Sequence, residues 1–108
     1  MIAHITNNLN QIAALCREFN IRKLEVFGSA ATGDFNPATS DIDFIVDLGG
    51  YEPGVAKRFL RFAEALEALL QHNVDLITEE SIQNPYFRHS VNQSRATIYE
   101  TGDRQAVA

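Results

Sequence analysis

The sequence predicts an α/β fold with a small β-sheet of at least three strands, in the order αβ(α)βαβα. Three observations lead to this prediction. Two long stretches carry apolar residues at helical spacing, three short stretches are rich in strand-forming residues, and Gly, Pro and Asn separate them. With 108 residues and a hydrophobic fraction of 45%, the chain fits one compact domain over residues 1–108. Its core is expected over about residues 1–100, followed by a loosely ordered C-terminal tail.

Each element is predicted from its local pattern. The first helix has an apolar stripe, and a continuous apolar stripe marks the longest helix between Val55 and Leu70. The predicted elements in order are a helix ending near Asn20, a strand over 22–27, a short helical turn over 29–33, a strand over 41–48, a helix from Val55 that breaks at Asn73, a strand over 74–78 and a helix over 84–100.

The charge and the hydropathy pattern exclude several classes of protein. Nine Lys and Arg residues against 14 Asp and Glu residues give a net charge of −5. An acidic domain is not expected to bind nucleic acid directly, because phosphate backbones favour clustered cations. No apolar run approaches the roughly 20 residues that a bilayer-spanning helix needs, so no membrane association is expected.

The cysteine and histidine content indicates a reducing compartment and no zinc site. Cys16 has no partner for an internal disulfide and is expected to be a buried thiol in a cytoplasmic protein. The N-terminus lacks the basic and apolar regions of a signal peptide. His4, His72 and His89 do not have the spacing of zinc ligands.

Three aspartates form the clearest candidate site. Because successive residues of a strand face opposite sides, Asp41 and Asp43 share one face of the second strand, roughly 7 Å apart. Asp75 lies inside the apolar stretch VDLIT, where a lone carboxylate is unfavourable unless it is paired or metal-bound. If the third strand pairs beside the second, all three acids converge. Mg²⁺ is the simplest ion to offset their repulsion, because it prefers oxygen ligands.

A plainer interpretation of the first two aspartates stays open. The stretch SDID can end a loop, with Ser40 or Asp41 capping a turn and both acids solvated. Gly28 and Ser29 favour a functional site, because they follow a strand and precede a helical turn whose N–H groups and hydroxyl can hold an anion. A phosphate-binding corner beside a carboxylate cluster indicates metal-dependent phosphoryl or nucleotidyl transfer.

These residues also carry a family resemblance. Gly28-Ser29, then Asp41 and Asp43, then Asp75 together resemble the signature of the DNA polymerase beta-like nucleotidyltransferase superfamily. The stretches VFGSAATGDF, SDIDFIVDL, VDLIT and NPYFRHSV most resemble the minimal nucleotidyltransferase proteins. The resemblance implies that superfamily's fold, a small mixed β-sheet flanked by helices.

The resemblance further implies an activity and a partner. Proteins of this kind are Mg²⁺-dependent antitoxins that transfer AMP from ATP to a tyrosine hydroxyl of a HEPN-domain toxin and release pyrophosphate. It implies that Asp41, Asp43 and Asp75 are catalytic and bind two Mg²⁺ ions, and that Gly28 and Ser29 hold the phosphates of the nucleotide. The expected partners are therefore a HEPN-type toxin and a nucleoside triphosphate, and a homo- or hetero-oligomer is left open.

The chain departs from the family pattern after its Gly-Ser pair. Family members often have arginine in a GSxARG stretch, where residues 30–32 are Ala-Ala-Thr. Lys57, Arg58 or Arg61 could take over the charge, or these residues form a solvated helix face. The alternative function is a catalytically weak binding module that neutralises a toxin by direct complex formation. The complete Gly-Ser and aspartate set favours the enzyme, whereas the missing arginines favour the module.

A few further polar and aromatic residues are assigned less specifically. Glu25 is expected to be a solvated strand residue or to lie at the rim of the site. Asp47 lies roughly 13 Å along the strand from Asp43, too far to bind the same ion. Tyr86, Phe87 and Tyr99 are expected either in the core or on a partner surface.

Overall fold

The computed structural model describes residues 1–101 and confirms the α/β fold, with a mixed four-stranded sheet and flanking helices. The elements are α1 (Ala3–Thr6), α2 (Leu9–Glu18), β1 (Lys23–Phe27), α3 (Ser29–Thr32), β2 (Ile42–Asp47), α4 (Val55–Leu70), β3 (Val74–Thr78), a 3₁₀ turn (Glu79–Ser81), α5 (Pro85–Ser94) and β4 (Ala96–Glu100). Among these helices, none is both long and apolar enough to span a membrane. The predicted loose tail falls largely on residues 102–108, which lie outside the described part of the chain.

The sheet has the strand order β3-β2-β1-β4. Strand β1 pairs antiparallel with β2 and with β4, whereas β2 and β3 are parallel. A parallel pair needs a crossover connection, and α4 supplies it. The third strand therefore lies beside the second, which is the condition under which the aspartates were expected to converge.

The predicted helix over 84–100 is wrong in its second half. Helix α5 begins after Asn84, whose side chain accepts hydrogen bonds from the backbone of Tyr86 and Phe87, and it ends at Ser94. Arg95 is extended (φ −64°, ψ 139°), and β4 then pairs along β1. Thr97 begins a short run of β-branched and aromatic residues, which favours a strand once a free sheet edge lies beside it.

The predicted first helix is interrupted. Helix α1 ends at Thr6, and α2 begins at Leu9. Asn8 lies between them and has non-helical dihedrals (φ −120°, ψ 16°). Ile5 and Ile12 are nevertheless both fully buried, so the apolar stripe that suggested a single helix still identifies the buried face.

The main core lies on one face of the sheet, beneath α2 and α4. Phe44 of β2 packs there with Phe62 and Leu66 of α4, and all three have no exposed surface. The apolar stripe of α4 therefore faces the core. Cys16 is also buried in this core, and burial raises the pKa of its thiol to about 12, so the prediction of a buried thiol is confirmed.

The opposite face carries a smaller apolar cluster. Phe27 and Ile45 project from the sheet and meet Ile82 and Val91, which come from the turn after β3 and from α5. Phe87 of α5 also contacts the Phe27 ring edge-on, with ring centroids 6.1 Å apart. Helix α5 therefore covers part of the face on which Asp43 lies.

Four charged residues tie α5 to the sheet. Glu25 of β1 is only 8% exposed and accepts two hydrogen bonds from Arg95, at 3.0 and 2.7 Å. Arg95 and Arg88 also bind Glu79, and their hydrogen bonds lower the pKa of that carboxyl to about 2. The prediction that Glu25 is solvated is therefore wrong, because its partner is a residue 70 positions away that only the fold brings near.

Arg58 connects α4 to two loops. Its guanidinium donates to the carbonyl oxygens of Phe19, Asn20 and Leu48 at 3.1 to 3.2 Å, and to the Glu52 carboxylate at 2.8 Å. The Arg58 side chain is 17% exposed, so Arg58 does not belong to a solvated helix face. Its charge is paired with Glu52, so it is not available to neutralise a ligand.

We predict that Arg58→Ala destabilises the protein, whereas Arg61→Ala does not. The first change leaves three carbonyl oxygens without a charged donor, which costs about 1–3 kcal/mol and lowers the melting temperature by several degrees. Arg61 is exposed on the same helix and serves as the matched control. Thermal denaturation of both variants measures the effect, and equal melting temperatures would show that the Arg58 contacts contribute nothing.

Candidate active site

Parallel pairing places two of the predicted aspartates side by side. Asp43 of β2 is in register with Asp75 of β3, on neighbouring strands that lie about 4.8 Å apart. Both side chains lie on the face opposite the main core, together with Ile45 and Ile77. Asp41 lies just before the first residue of β2.

The three aspartates differ in exposure. Asp41 and Asp75 are exposed, and Asp43 is half-buried. Asp75 therefore does not carry the burial penalty that its apolar neighbours suggested, because the strand turns it to the uncovered part of this face. Asp75 lies at the site because its side chain is on the same face of the sheet as that of Asp43, and not because it is buried.

The electrostatics show that the three carboxylates lie within reach of one another. The pKa of Asp43 is raised to about 6, first by its partial burial and then by the negative charges of Asp75 and Asp41. None of the ion pairs among residues 1–101 involves any of the three. The cluster is thus an uncompensated negative charge.

Gly28 packs directly against this cluster. Its backbone has φ 70° and ψ −150°, a conformation that residues with side chains rarely adopt. A Cβ atom at this position would lie 2.9 Å from Oδ2 of Asp43, closer than real contacts allow. Glycine therefore lets the turn before α3 approach the carboxylate, and Ser29 follows as the first residue of α3. The Ser29 hydroxyl makes no side-chain hydrogen bond within the described residues.

The backbone N–H of Gly28 is already engaged. It donates to the Ser94 hydroxyl oxygen at 2.8 Å, in a partly buried hydrogen bond between residues 66 positions apart. Because this N–H group already has a protein partner, it is not the free anion donor that the sequence suggested at Gly28. Sequence reasoning missed Ser94, because a serine near the end of a helix carries no signal of its own.

Two further contacts hold the loop that leads into β2. The His72 ring donates from Nε2 to the carbonyl oxygen of Ser40 at 2.7 Å, and the Phe35 ring lies 5.1 Å from the His72 ring. The N–H of Ile42 donates to the carbonyl oxygen of Asn73 at 3.0 Å. These contacts fix the backbone on both sides of Asp41. The Ser40 hydroxyl also accepts from the N–H of Asn36 at 3.1 Å, so Ser40 closes a turn and Asp41 is exposed, as the plainer interpretation of SDID expects. Asp43 departs from that interpretation, because it is half-buried in β2. The role of His72 was also missed from the sequence.

The cations that were considered as substitutes lie elsewhere. Helix α4 begins after the loop that follows Asp47, at the end of β2 away from Asp43, and it packs on the other face. Arg58 is engaged as described, so neither it nor the start of α4 faces the aspartates. Asp47 is bonded to Arg22 at 3.0 Å and accepts from the N–H of Gly49, as expected for a residue outside the cluster.

The donor set fits a hard divalent cation. Within residues 1–101, no three His, Cys, Asp or Glu side chains are arranged closely enough to hold a metal ion among themselves. Mg²⁺ does not require that, because it usually binds one or two protein carboxylates together with substrate phosphates and water. The neighbouring carboxylates of Asp43 and Asp75 are oxygen donors of this kind, with no competing ion pair.

Comparison with known proteins places these residues in a family. Residues 9–98 match the family described as Nucleotidyltransferase domain. A Methanocaldococcus jannaschii protein named "Putative protein adenylyltransferase MJ0126" is 35% identical over 79 residues, which cover 73% of this chain and 78% of that protein. Protein adenylyltransferase MntA of Thermococcus cleftensis is 37% identical over 70 residues, which cover 65% of this chain and 68% of that protein.

A solved structure shares the fold. It is described as a tri-AMPylated Shewanella oneidensis HEPN toxin in complex with an MNT antitoxin. One of its chains superposes with a TM-score of 0.60 at 21% identity, over 94% of this chain and 77% of that chain. The predicted resemblance to minimal nucleotidyltransferase proteins is confirmed, and so is the predicted nucleotidyltransferase class.

We predict that Asp43→Asn stabilises the protein in metal-free buffer at neutral pH. The folded-state pKa of Asp43, about 6, lies above its ordinary value of 3.8, so ionisation opposes folding. The contribution of Asp43 to stability is therefore most favourable below pH 4 and falls as the pH rises towards 6. The asparagine variant should gain on the order of 1–2 kcal/mol above pH 6 and nothing at pH 4. Thermal unfolding in the presence of a chelator measures the gain.

Asp47→Asn is the matched control for this experiment. Asp47 lies on the same strand and face but is paired with Arg22, so its substitution should not raise the melting temperature. A clear fall for Asp43→Asn would show that Asp43 stabilises the loop instead. A gain of equal size at pH 4 would contradict the electrostatic cause.

Proposed function

The chain belongs to the nucleotidyltransferase domain family, and on that premise we propose that it is a Mg²⁺-dependent protein adenylyltransferase. It transfers AMP from ATP to a tyrosine hydroxyl of a HEPN-type toxin and thereby acts as an antitoxin. The observation that carries the proposal is the pairing of Asp43 with Asp75 directly beside the Gly28–Ser29 turn. Residues 1–108 would form one minimal nucleotidyltransferase domain that works in the cytoplasm.

The aspartates would hold the metal ions. Asp43 in β2 and Asp41 just before this strand would bind Mg²⁺, and Asp75 would complete the acidic set from β3. When bound, the ions would neutralise the triphosphate charge and lower the pKa of the attacking hydroxyl. The raised pKa of Asp43 is consistent with this role, because a carboxylate that lacks a cationic partner gains most from a bound cation.

The turn before α3 would hold the phosphates. Ser29 offers a hydroxyl that makes no side-chain hydrogen bond within the described residues, at the start of a helical turn. Gly28 would contribute chiefly through its missing side chain, which leaves room for the carboxylate of Asp43 and for a phosphate nearby. Its N–H stays bonded to Ser94.

Asp75 would serve the acceptor. Because this carboxylate is exposed, a hydroxyl that arrives on another protein could reach it from solvent. The acceptor oxygen forms a bond to the α-phosphorus while the bond to the departing pyrophosphate breaks. The hydroxyl proton passes to Asp75 or to water.

The nature of the acceptor is supported by the relatives. Two of them are named protein adenylyltransferases, and a structural neighbour is a complex with an AMPylated HEPN toxin. These names concern those proteins, and by homology they favour ATP as the nucleotide and a HEPN toxin as the partner. The choice of tyrosine rests on the family resemblance.

One observation favours the binding module as the alternative. The GSxARG arginines are missing, Ala30 is fully buried, and no ion pair of the described residues reaches the aspartates. A site without a cationic side chain depends entirely on metal ions, or on its partner, to neutralise a triphosphate. In the alternative, the chain neutralises the toxin by forming a complex with it.

Mass spectrometry of the partner distinguishes the two functions. When the chain is co-expressed with a HEPN toxin, the toxin should gain the mass of one or more AMP groups, and purified components should require Mg²⁺ and ATP. Asp41→Ala and Asp43→Ala should each abolish the modification, because positioning and charge neutralisation dominate phosphoryl transfer. Ser29→Ala should weaken it less.

Asp47→Asn serves as the control, since this acid lies on the same strand outside the cluster and should retain full activity. A toxin that never changes mass, yet is still neutralised by the Asp41→Ala, Asp43→Ala double variant, would overturn the enzyme and establish the binding module.

A further inference from the structure

The hydrogen bond between Gly28 and Ser94 links the candidate phosphate-binding turn to α5. The turn is narrowly constrained, because its positive φ favours glycine and a Cβ atom at Gly28 would lie 2.9 Å from Oδ2 of Asp43. The carbonyl oxygen of Gly28 also accepts from the N–H groups of Ala31 and Thr32, which begins α3. The N–H of the same residue donates to the Ser94 hydroxyl oxygen, so both backbone polar groups of Gly28 are hydrogen-bonded.

Ser94 is suited to act as an acceptor of defined orientation. Its hydroxyl donates its single proton back to the carbonyl oxygen of Val91, at 3.4 Å, which leaves the lone pairs of the oxygen for the Gly28 N–H. A serine that was free to rotate would hold the turn less precisely.

The position of Ser94 is fixed on both sides. Val91, three residues earlier, is 1% exposed and packs in the apolar cluster beneath α5. Arg95, the next residue, binds Glu25 of β1 at 2.7 Å and Glu79 at 2.5 Å. The hydroxyl is thus held against the sheet by packing on one side and by ion pairs on the other.

We propose that Ser94 is a positioning residue for nucleotide binding. Its hydroxyl holds the Gly28–Ser29 turn against Asp43, so that Ser29 and the aspartates meet the same triphosphate. Ser94 does not contact the substrate, and it acts through the peptide of Gly28. The inference rests on the proposed function, because it assigns a role within that same site.

Loss of the hydroxyl should affect nucleotide binding more than the chemical step. Ser94→Ala should raise the KM for ATP about tenfold and change kcat less than threefold, because a loosened turn weakens phosphate binding while the aspartates stay in place. Ser94→Thr keeps a hydroxyl and should remain near the wild-type KM. Ser90→Ala is the matched control, since Ser90 is an exposed serine one turn earlier in α5.

Amide exchange provides a readout that does not depend on activity. In NMR spectra of the nucleotide-free protein, the Gly28 amide should be protected in the wild type, in Ser94→Thr and in Ser90→Ala. It should exchange at least tenfold faster in Ser94→Ala. Melting temperatures show whether each variant is folded. If Ser94→Ala is unfolded, the KM of Ser94→Thr and the protection of the Gly28 amide in the wild type test the role of Ser94 instead.

The outcomes separate the two proposals. A wild-type protein that transfers no AMP overturns the proposed function, and this positioning role with it. An active wild type with the same KM in Ser94→Ala and Ser90→Ala overturns the role of Ser94 alone. A folded Ser94→Thr variant with the KM of Ser94→Ala, or an unprotected Gly28 amide in the wild type, also overturns it.

Discussion

The parallel pairing of β2 with β3 determines where the carboxylates of the site meet. A parallel pair needs a long connection, and α4 provides it while burying Phe62 and Leu66 in the core. The register puts Asp43 opposite Asp75. A slip of one residue would turn Asp75 towards the core and an apolar neighbour towards the site. The buried face of the sheet thus selects the one register in which the acids meet.

The elements that could be predicted from the sequence are those with a local cause. Strand β1 alternates apolar and polar residues, β2 and β3 are rich in β-branched and other apolar residues, and α4 repeats apolar residues at helical spacing. Strand β4 escaped prediction, because its five residues follow a well-capped helix without a turn-forming residue between them. Its pairing partner is β1, far away in sequence, and only an available sheet edge decides that this stretch is extended.

The same division applies to the site. The Gly28 turn and the three aspartates could be picked out from the sequence as candidates, because glycine between a strand and a helical turn, and acids beside or within apolar strands, are locally unusual. Ser94 and His72 are ordinary polar residues, and their roles come from contacts across 66 and 32 positions. Glu25 was misjudged for this reason as well, since nothing near it in sequence shows that Arg95 will cover it. Residues that hold a site are harder to predict than residues that form it.

Charge links the stability of this site to its ligands. Asp41, Asp43 and Asp75 repel one another without a cationic side chain to relieve them, and the ordered surroundings of Gly28 and Ser40 keep them from separating. The apolar contacts of the core beneath β2 offset the free-energy cost of this repulsion. A ligand that brings positive charge binds only the folded arrangement, and it should therefore stabilise the protein by mass action. Under the proposed function, the repulsion that makes the isolated site unfavourable is also what would favour the binding of cations there.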